Sequence, residues 1–522
     1  MNAATLLARR RNSPRARHLL LAAAATLARA EHHDAAAHRL LERAAAAAEA
    51  LAARILDEQW RASFWGEWGW PHLELARLEL DRGRIEAAFE VLESGRGRSL
   101  ASGRRSAWSE DLRGWAAGAM KRDRDRSTRS GARLVSLPPP FTEAPAPRLE
   151  RVLRTVRVPR VRLSDVRRQL PTGGVLLDAV EFDGSLGWFA VDESRVRAAW
   201  DLVRVREVAE LMHAVTFHLR GASWSADPGP QFGAAEANEL SQVVRYRPRD
   251  PALEASLEAL AAAVLWPAIA LLGRIPSHLA ITPVAALSRV PWAALPLPDG
   301  RRLCEVSELV VVPGLRLGLA TARRSAVSAF SAGLLVAVDA DGLDHARSEI
   351  TTLARLFPSA QVLSGSEATA ERFMAAASGA AWIHFAGHGV FRAEAPLGSG
   401  LRFADRWVTG SELQELRLAA RWVTLSACQT ARSLVRPGEE WFGLPRALLG
   451  AGAGMVLAAA WDVDDAATAC FMSEVYRHVA EGESLPGGLQ RVQASNVRNA
   501  SHPLDWAGFM TLGGPGISNL RS

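Results

Sequence analysis

Four near-continuous apolar runs, GLLVAVDA (333–340), AAWIHFA (380–386), WVTLSA (422–427) and GMVLAAAW (454–461), constrain this chain more than any other feature. Each has strand length rather than helix length and carries β-branched or aromatic residues. A fifth, SAQVL, covers 359–363. Between and after them lie segments of helical period, at 368–377, 411–416, 444–450 and 465–479. A strand that is apolar on both faces must be covered on both, so this alternation predicts an α/β fold, a mostly parallel sheet with helices on both faces.

Further upstream, GVLLDAVEFDGSLGWFAVD (174–192) places two β-rich runs around Asp183-Gly184, a hairpin signal. Helical stretches are expected at 204–220 and 252–272, and strands at HLAITP (278–283) and ELVVVP (308–313). The first hundred residues are helical throughout. In WPHLELARLELDRGRIEAAFEVLESGRGRSL (70–100), Leu73, Ala76 and Leu80, then Ile85, Ala88, Phe89 and Leu92, give two antiparallel helices around Gly83. This pair has the look of a degenerate tetratricopeptide unit, read as a partner-binding surface or, more plainly, a helical brace. VSLPPPFTEAPAPR (135–148) cannot continue a helix and reads as a linker. The expected organisation is therefore a helical region over 1–134, a Pro/Arg-rich linker over 135–165, and two α/β parts over 166–330 and 331–522.

Composition excludes several function classes. The chain has 522 residues, a formal charge of +6 and three cysteines, Cys304, Cys428 and Cys470. An odd number of widely spaced thiols fits neither a disulfide framework nor zinc knuckles and suggests a reducing cytosol. Arg104, Arg105, Arg113, Lys121, Arg122, Arg124, Arg126, Arg129 and Arg133 cluster, yet no nucleic-acid module accompanies them, so no nucleic-acid partner is expected. Lys121 is the only lysine. No apolar run reads as a bilayer span. Arg9, Arg10 and Arg11 before LLLAAAATLARA (19–30) imitate an export signal, but the Ala-rich helical pattern runs on past it, so a first helix and a cytoplasmic protein are expected. GAGAG (450–454) leaves a helix and enters a strand, the reverse of a phosphate-cradling turn.

In sheets of this kind, function collects beyond the carboxyl ends of the strands. AAWIHFA ends just before Gly387-His388-Gly389, and WVTLSA ends on Cys428. A thiol and an imidazole at one rim meet the minimum for thiol nucleophilic catalysis, and Gly389 suits a close backbone approach to substrate. A buried strand-end cysteine is equally a small hydrophobe. His384 with His388 forms an H-x3-H pair, but the segment is strand-like and lacks further ligands, so no metal is expected and His384 should be hydrogen-bonded inside the sheet. Cys304 and Cys470 read as packing residues.

WIHFAGHGVF, WVTLSACQTA, GLPRALLGAGAGMVLAAAWDVDD and HPLDWAGFMTLGG together resemble the CHAT domain, a bacterial caspase-like fold related to separase and often carried behind tetratricopeptide repeats. LESGRGRSL, LPTGGVLLDAVEFDGSLGWFAV and ITPVAALSRVPWAALPL resemble the segments usually found upstream, so the likeness spans about 85–516. The resemblance implies a cysteine endopeptidase with Cys428 as nucleophile, His388 as general acid/base, and Gly389 and Cys428 donating the oxyanion N–H groups. Thr430 stands where caspases have glycine, which argues against importing caspase specificity for aspartate. WDVDD is similar to the separase segment whose acidic residue lines the pocket before the scissile bond; Asp465, with Asp462 and Asp464 beside it, would select arginine or lysine there. Asp464 or Asp465 would otherwise cap the helix that follows. The family further implies a protein substrate, an activating protein partner at the helical N-terminus, and action in bacterial defence or programmed death, some members cutting gasdermin-like proteins encoded beside them. No cofactor is implied. The alternative is a catalytically inactive caspase-like scaffold for protein–protein interaction.

Overall fold

The structure is a computed structural model that describes residues 14–52, 64–65, 68–96, 161–224, 250–322, 333–338, 345–393, 395–427, 434–436 and 440–516. The 135–148 linker and the basic cluster at 104–133 lie outside the described residues. The chain divides into two compact units, one of residues 1–75 and 97–160, the other of residues 76–96 and 161–522.

In the first unit, α1 (Pro14–Ala30) and α2 (Asp34–Ala52) form a hairpin. Ala25, Ala37, Ala44 and Ala48 are fully buried along it, small side chains that allow close helix approach. The Ala-rich pattern is not continuous: the chain turns at Glu31–His33, with His32 at φ +56°. Alanine periodicity alone does not reveal that turn. Next come α3 (Trp70–Asp81) and α4 (Ile85–Gly95). They are joined through Gly83 at φ +71°, as the sequence predicts.

The second unit is built on β1 (Val175–Phe182), β2 (Ser185–Val191), β3 (Val196–Arg204), β4 (His278–Thr282), β5 (Glu308–Val311), β6 (Gly333–Ala337), β7 (Gln361–Ser364), β8 (Trp382–Ala386), β9 (Gly389–Val390), β10 (Gly400–Arg402), β11 (Trp407–Thr409), β12 (Trp422–Ser426), β13 (Leu434–Arg436), β14 (Glu440–Phe442), β15 (Met455–Ala459) and β16 (Phe509–Gly513). Eleven of these form one sheet in the order β3-β2-β1-β4-β5-β16-β15-β12-β8-β6-β7. β1, β4, β5 and β16 run parallel, as do β15, β12, β8, β6 and β7; the two blocks meet antiparallel at β16–β15. Residues 166–330 and 331–522 thus share one sheet.

Every residue of β6, β8, β12 and β15 is buried, which requires cover on both faces. The helices of this unit include α5 (Val205–Trp224), α6 (Pro251–Leu260), α7 (Ala346–Leu356), α8 (Ala370–Ala377), α9 (Leu444–Ala451), α10 (Asp465–Ala480) and α11 (Leu485–Arg498); α7 packs on β6 and β8, α8 on β6, α9 on β15 and α10 on β12. The β1–β2 turn falls on Asp183 (φ +50°) and Gly184 (φ +73°), so the hairpin signal holds.

Two expectations change. The helix predicted over 252–272 contains a π turn at Ala261–Leu265, because Pro267 has no N–H to donate one turn back. The whole helix, Pro251–Leu272, is also long and apolar enough to cross a bilayer, contrary to the reading that no such run exists. Here its Leu253, Leu257, Leu260, Val264 and Ala268 are instead in the core, and the Val264 carbonyl accepts Trp188 Nε1 of β2 at 2.9 Å.

Residues 76–96 belong with this second unit. Phe89 on α4 meets Phe189 on β2 edge to face at 5.7 Å. Arg96, just past α4, is buried and joins three groups. Its guanidinium donates to Glu93 Oε1 at 3.0 Å, to Asp178 Oδ1 at 3.1 Å and to the Ala179 carbonyl at 2.8 Å. Arg316 donates to the Glu93 carbonyl at 3.2 Å and so satisfies an orphan acceptor at the α4 C-terminus. LESGR is thus an internal bolt between α4 and the middle of β1.

Candidate active site

β8 and β12 are adjacent and parallel, with Ala386 paired to Ser426. His388 lies two residues beyond Ala386 and Cys428 two residues beyond Ser426, so the two segments leave the sheet from one edge and in step. Cys428 itself lies outside the described residues. The exit from β8 is held by Gly387 N–H, which donates to the Ser426 carbonyl at 3.3 Å. A Cβ at Gly387 would come within 2.9 Å of the Phe385 ring and 3.3 Å of Val338. A side chain there would have to displace the Phe385 ring at the turn that delivers His388.

His388 is half-buried at the corner where the chain passes from the large sheet into the small sheet of β9, β10 and β11. Its carbonyl accepts the Arg402 N–H at 2.9 Å. That bond makes Gly389–Leu401 a non-hydrogen-bonded antiparallel pair, so the Gly389 N–H is directed away from β10.

The same rim receives a third motif. β15 is the other parallel neighbour of β12, with Leu425 paired to Ala458, so WDVDD leaves from the edge that GHG leaves. Asp464 is the N-cap of α10, its Oδ1 accepting the Ala467 N–H at 3.1 Å. Asp465 Oδ2 accepts the His345 N–H at 3.0 Å and ties α10 to the start of α7. Asp462 is exposed. The capping alternative therefore describes Asp464, while Asp465 anchors the start of α7.

Beneath the rim is a buried polar cluster whose key member the sequence reading missed. Glu349, on α7, is 3% exposed and His384, on β8, is fully buried. Glu349 Oε1 lies 2.7 Å from His384 Nε2 but off the ring N–H axis, so this is a close polar contact rather than an aligned hydrogen bond. Glu349 Oε2 accepts the Ser426 hydroxyl at 3.0 Å. His384 was expected to be hydrogen-bonded inside the sheet; neither of its ring nitrogens has an aligned partner among the described residues, and its contacts come from helices. Tyr476, on α10, packs edge-on to it at 5.1 Å. The Tyr476 hydroxyl shares a 2.8 Å hydrogen bond with Thr424 and accepts from Trp422 Nε1 at 3.3 Å, both on β12. Burial pushes the Tyr476 hydroxyl above its usual pKa, so it remains a neutral partner. A signal for Glu349 did exist: in ARSEITTLARL it falls on the stripe of Ala346, Ile350 and Leu353, all buried.

The other cysteines differ from each other. Cys304 is buried, and burial with Glu305 beside it pushes its thiol up to about 12, so it holds essentially no thiolate at neutral pH. Cys470 is exposed on α10, not a packing residue, because it falls on the solvent side of that helix.

Comparison with known proteins gives the same architecture. Two structures of the Saccharomyces cerevisiae separase–securin complex, at 3.0 and 2.6 Å resolution, align over 92% of this chain and 37% of theirs, with 12% identity and TM-scores of 0.53 and 0.52. At that identity the likeness concerns the fold. Tetratricopeptide repeat protein 28 of Mus musculus is 31% identical in an alignment of 195 positions that covers 29% of this chain and 8% of that protein. The chain therefore spans well under half the length of either relative. Residues 254–514, half of the chain, match the family model of the CHAT domain, and they contain the β8, β12 and β15 rim with all of its motifs. On that match the chain belongs to the CHAT domain family, with a caspase-like, separase-related fold.

Proposed function

We propose that this protein is a cysteine endopeptidase in which Cys428 is the nucleophile and His388 the general acid/base. The observation that carries the reading is the Ala386–Ser426 register, which sends both segments off adjacent parallel strands at equal distance. The Cys428 thiolate attacks the scissile carbonyl, and the tetrahedral oxyanion is held by the N–H groups of Gly389 and Cys428. The His388 imidazolium then protonates the departing amine, and a water deprotonated by the neutral imidazole hydrolyses the thioester. The direction of the Gly389 N–H, away from β10, suits the oxyanion role.

The substrate is a specific protein, cut in bacterial defence or programmed death, and the helical region over 1–134 receives the protein that activates the enzyme. These proposals rest on the family resemblance. The test is purified enzyme incubated with the proteins encoded beside its own gene. Discrete fragments support the reading; intact neighbours alongside an unreactive Cys428 would sink it.

On this reading Asp465 and Asp462 select a basic side chain, Asp465 foremost. Asp465→Asn keeps the acceptor for His345 N–H and removes the charge. It should cut kcat/KM after Arg or Lys by roughly 10- to 150-fold, the worth of one charge-assisted hydrogen bond of about 1.5–3 kcal/mol. Asp462→Ala should cost less. A wild-type preference for Leu or Asp at the cleaved bond would contradict the assignment.

A further inference from the structure

We infer that Glu349 is the positioning residue of this site, fixing the two strand ends that lead into the dyad; this rests on the peptidase reading above. One carboxylate spans two parallel strands from a third element. Oε1 faces His384, four residues before His388 on β8, and Oε2 holds the hydroxyl of Ser426, two residues before Cys428 on β12. The Ser426 carbonyl in turn accepts the N–H of Gly387, the residue before His388. Glu349, Ser426 and Gly387 therefore form a chain of contacts that crosses the gap between the strands at the level where they leave the sheet.

The elements on either side are tied to the same cluster. Asp465 at the start of α10 holds the N-terminus of α7, the helix that carries Glu349, through His345 N–H. Tyr476, further along α10, holds Thr424 of β12 and covers the His384 ring. A buried carboxylate is costly, and a core position on α7 would accept an aliphatic side chain without that cost. Its placement is explained if the relative offset of β8 and β12 must be held to a fraction of an ångström, because misplacing a reacting group by about 1 Å costs on the order of 100-fold in rate. Glu349 does not touch the reacting atoms; it acts through the two strands.

Alkylation of Cys428 by iodoacetamide tests this without a peptide substrate. The full chain is used in a Cys470→Ser background, with Cys304 silent through burial, and the rate at the Cys428 peptide is followed by mass spectrometry from pH 5 to 9. A positioned dyad holds an imidazolium beside a thiolate, so the wild type should alkylate well below the pH of an isolated thiol, and His388→Ala should abolish that low-pH arm. Glu349→Gln should move the arm toward the isolated-thiol value of about 8.5 and slow alkylation at pH 6 by tenfold or more, while its melting transition stays cooperative. Ser426→Ala, which removes one arm of the clamp and leaves Glu349 and His384 in place, should produce a smaller shift in the same direction and decides the matter if Glu349→Gln does not fold. Folded Glu349→Gln or Ser426→Ala protein with the wild-type profile overturns the inference. A wild-type profile that His388→Ala leaves unmoved overturns the dyad itself, and the inference with it.

Discussion

On the peptidase reading, Cys428→Ala and His388→Ala should each abolish cleavage of a substrate encoded beside the gene, and the double variant should lose no more than either single one. Without the thiol no acyl-enzyme forms. Without the imidazole the thiolate is unpaired and the departing amine has no proton donor. Residues that act as a unit give non-additive losses, and for a nucleophile–base pair the expected fall is about 10⁴-fold or more in kcat. The measurement is co-expression of substrate with each variant, read as fragments on a gel and followed by kinetics on purified protein. The unfolding midpoint of His388→Ala should stay close to wild type, since His388 lies past the end of β8 and belongs to no main-sheet strand. Full activity in either variant would remove the dyad from the account.

Arg96→Met should be the most destabilising of the substitutions considered, by about 3–5 kcal/mol, read as a fall in the urea midpoint of the second unit. The guanidinium is buried between Glu93 and Asp178, whose side chains are 2% and 0% exposed. Removing it leaves two carboxylates in the core with one cationic partner fewer. The strength of the prediction lies in its repair. Arg96→Met combined with Asp178→Leu and Glu93→Gln replaces the charges with packing and a neutral amide, and should recover most of the loss. If the single variant unfolds at the wild-type midpoint, the α4–β1 bolt contributes nothing and LESGR is a surface feature.

How far the sequence shows this fold depends on which surface each element meets. β6, β8, β12 and β15 are covered on both faces, so their sequences are continuous apolar runs and each is found close to its observed limits. β3 is an edge strand with no fully buried residue, and VRAAWDLVR carries no alternation that marks it. β9, β10 and β11 are two or three residues long and leave no periodic trace. The insertion of β16 between β5 and β15 pairs residues about 200 apart in sequence, as in Leu512 with Val311, and no local signal encodes that choice. At the site, His388 and Gly389 were legible because they follow a recognisable strand end. Glu349 was passed over although it lies on the apolar stripe of α7, because a lone carboxylate on a helix reads as solvent-facing until the helix is docked. Asp178 was hidden in the same way, a carboxylate within the apolar run VLLDAV whose partner lies 82 residues away.

The central claim is that Cys428, raised to reactivity by His388, attacks an acyl carbon. Peptidyl chloromethyl ketones that differ only in the side chain beside the reactive carbon test it most directly, with the adduct mapped by mass spectrometry. One adduct is expected, on Cys428, formed fastest with Arg or Lys in that position and lost in His388→Ala. An adduct on exposed Cys470 alone, or equal labelling of Cys428 with and without His388, would contradict it.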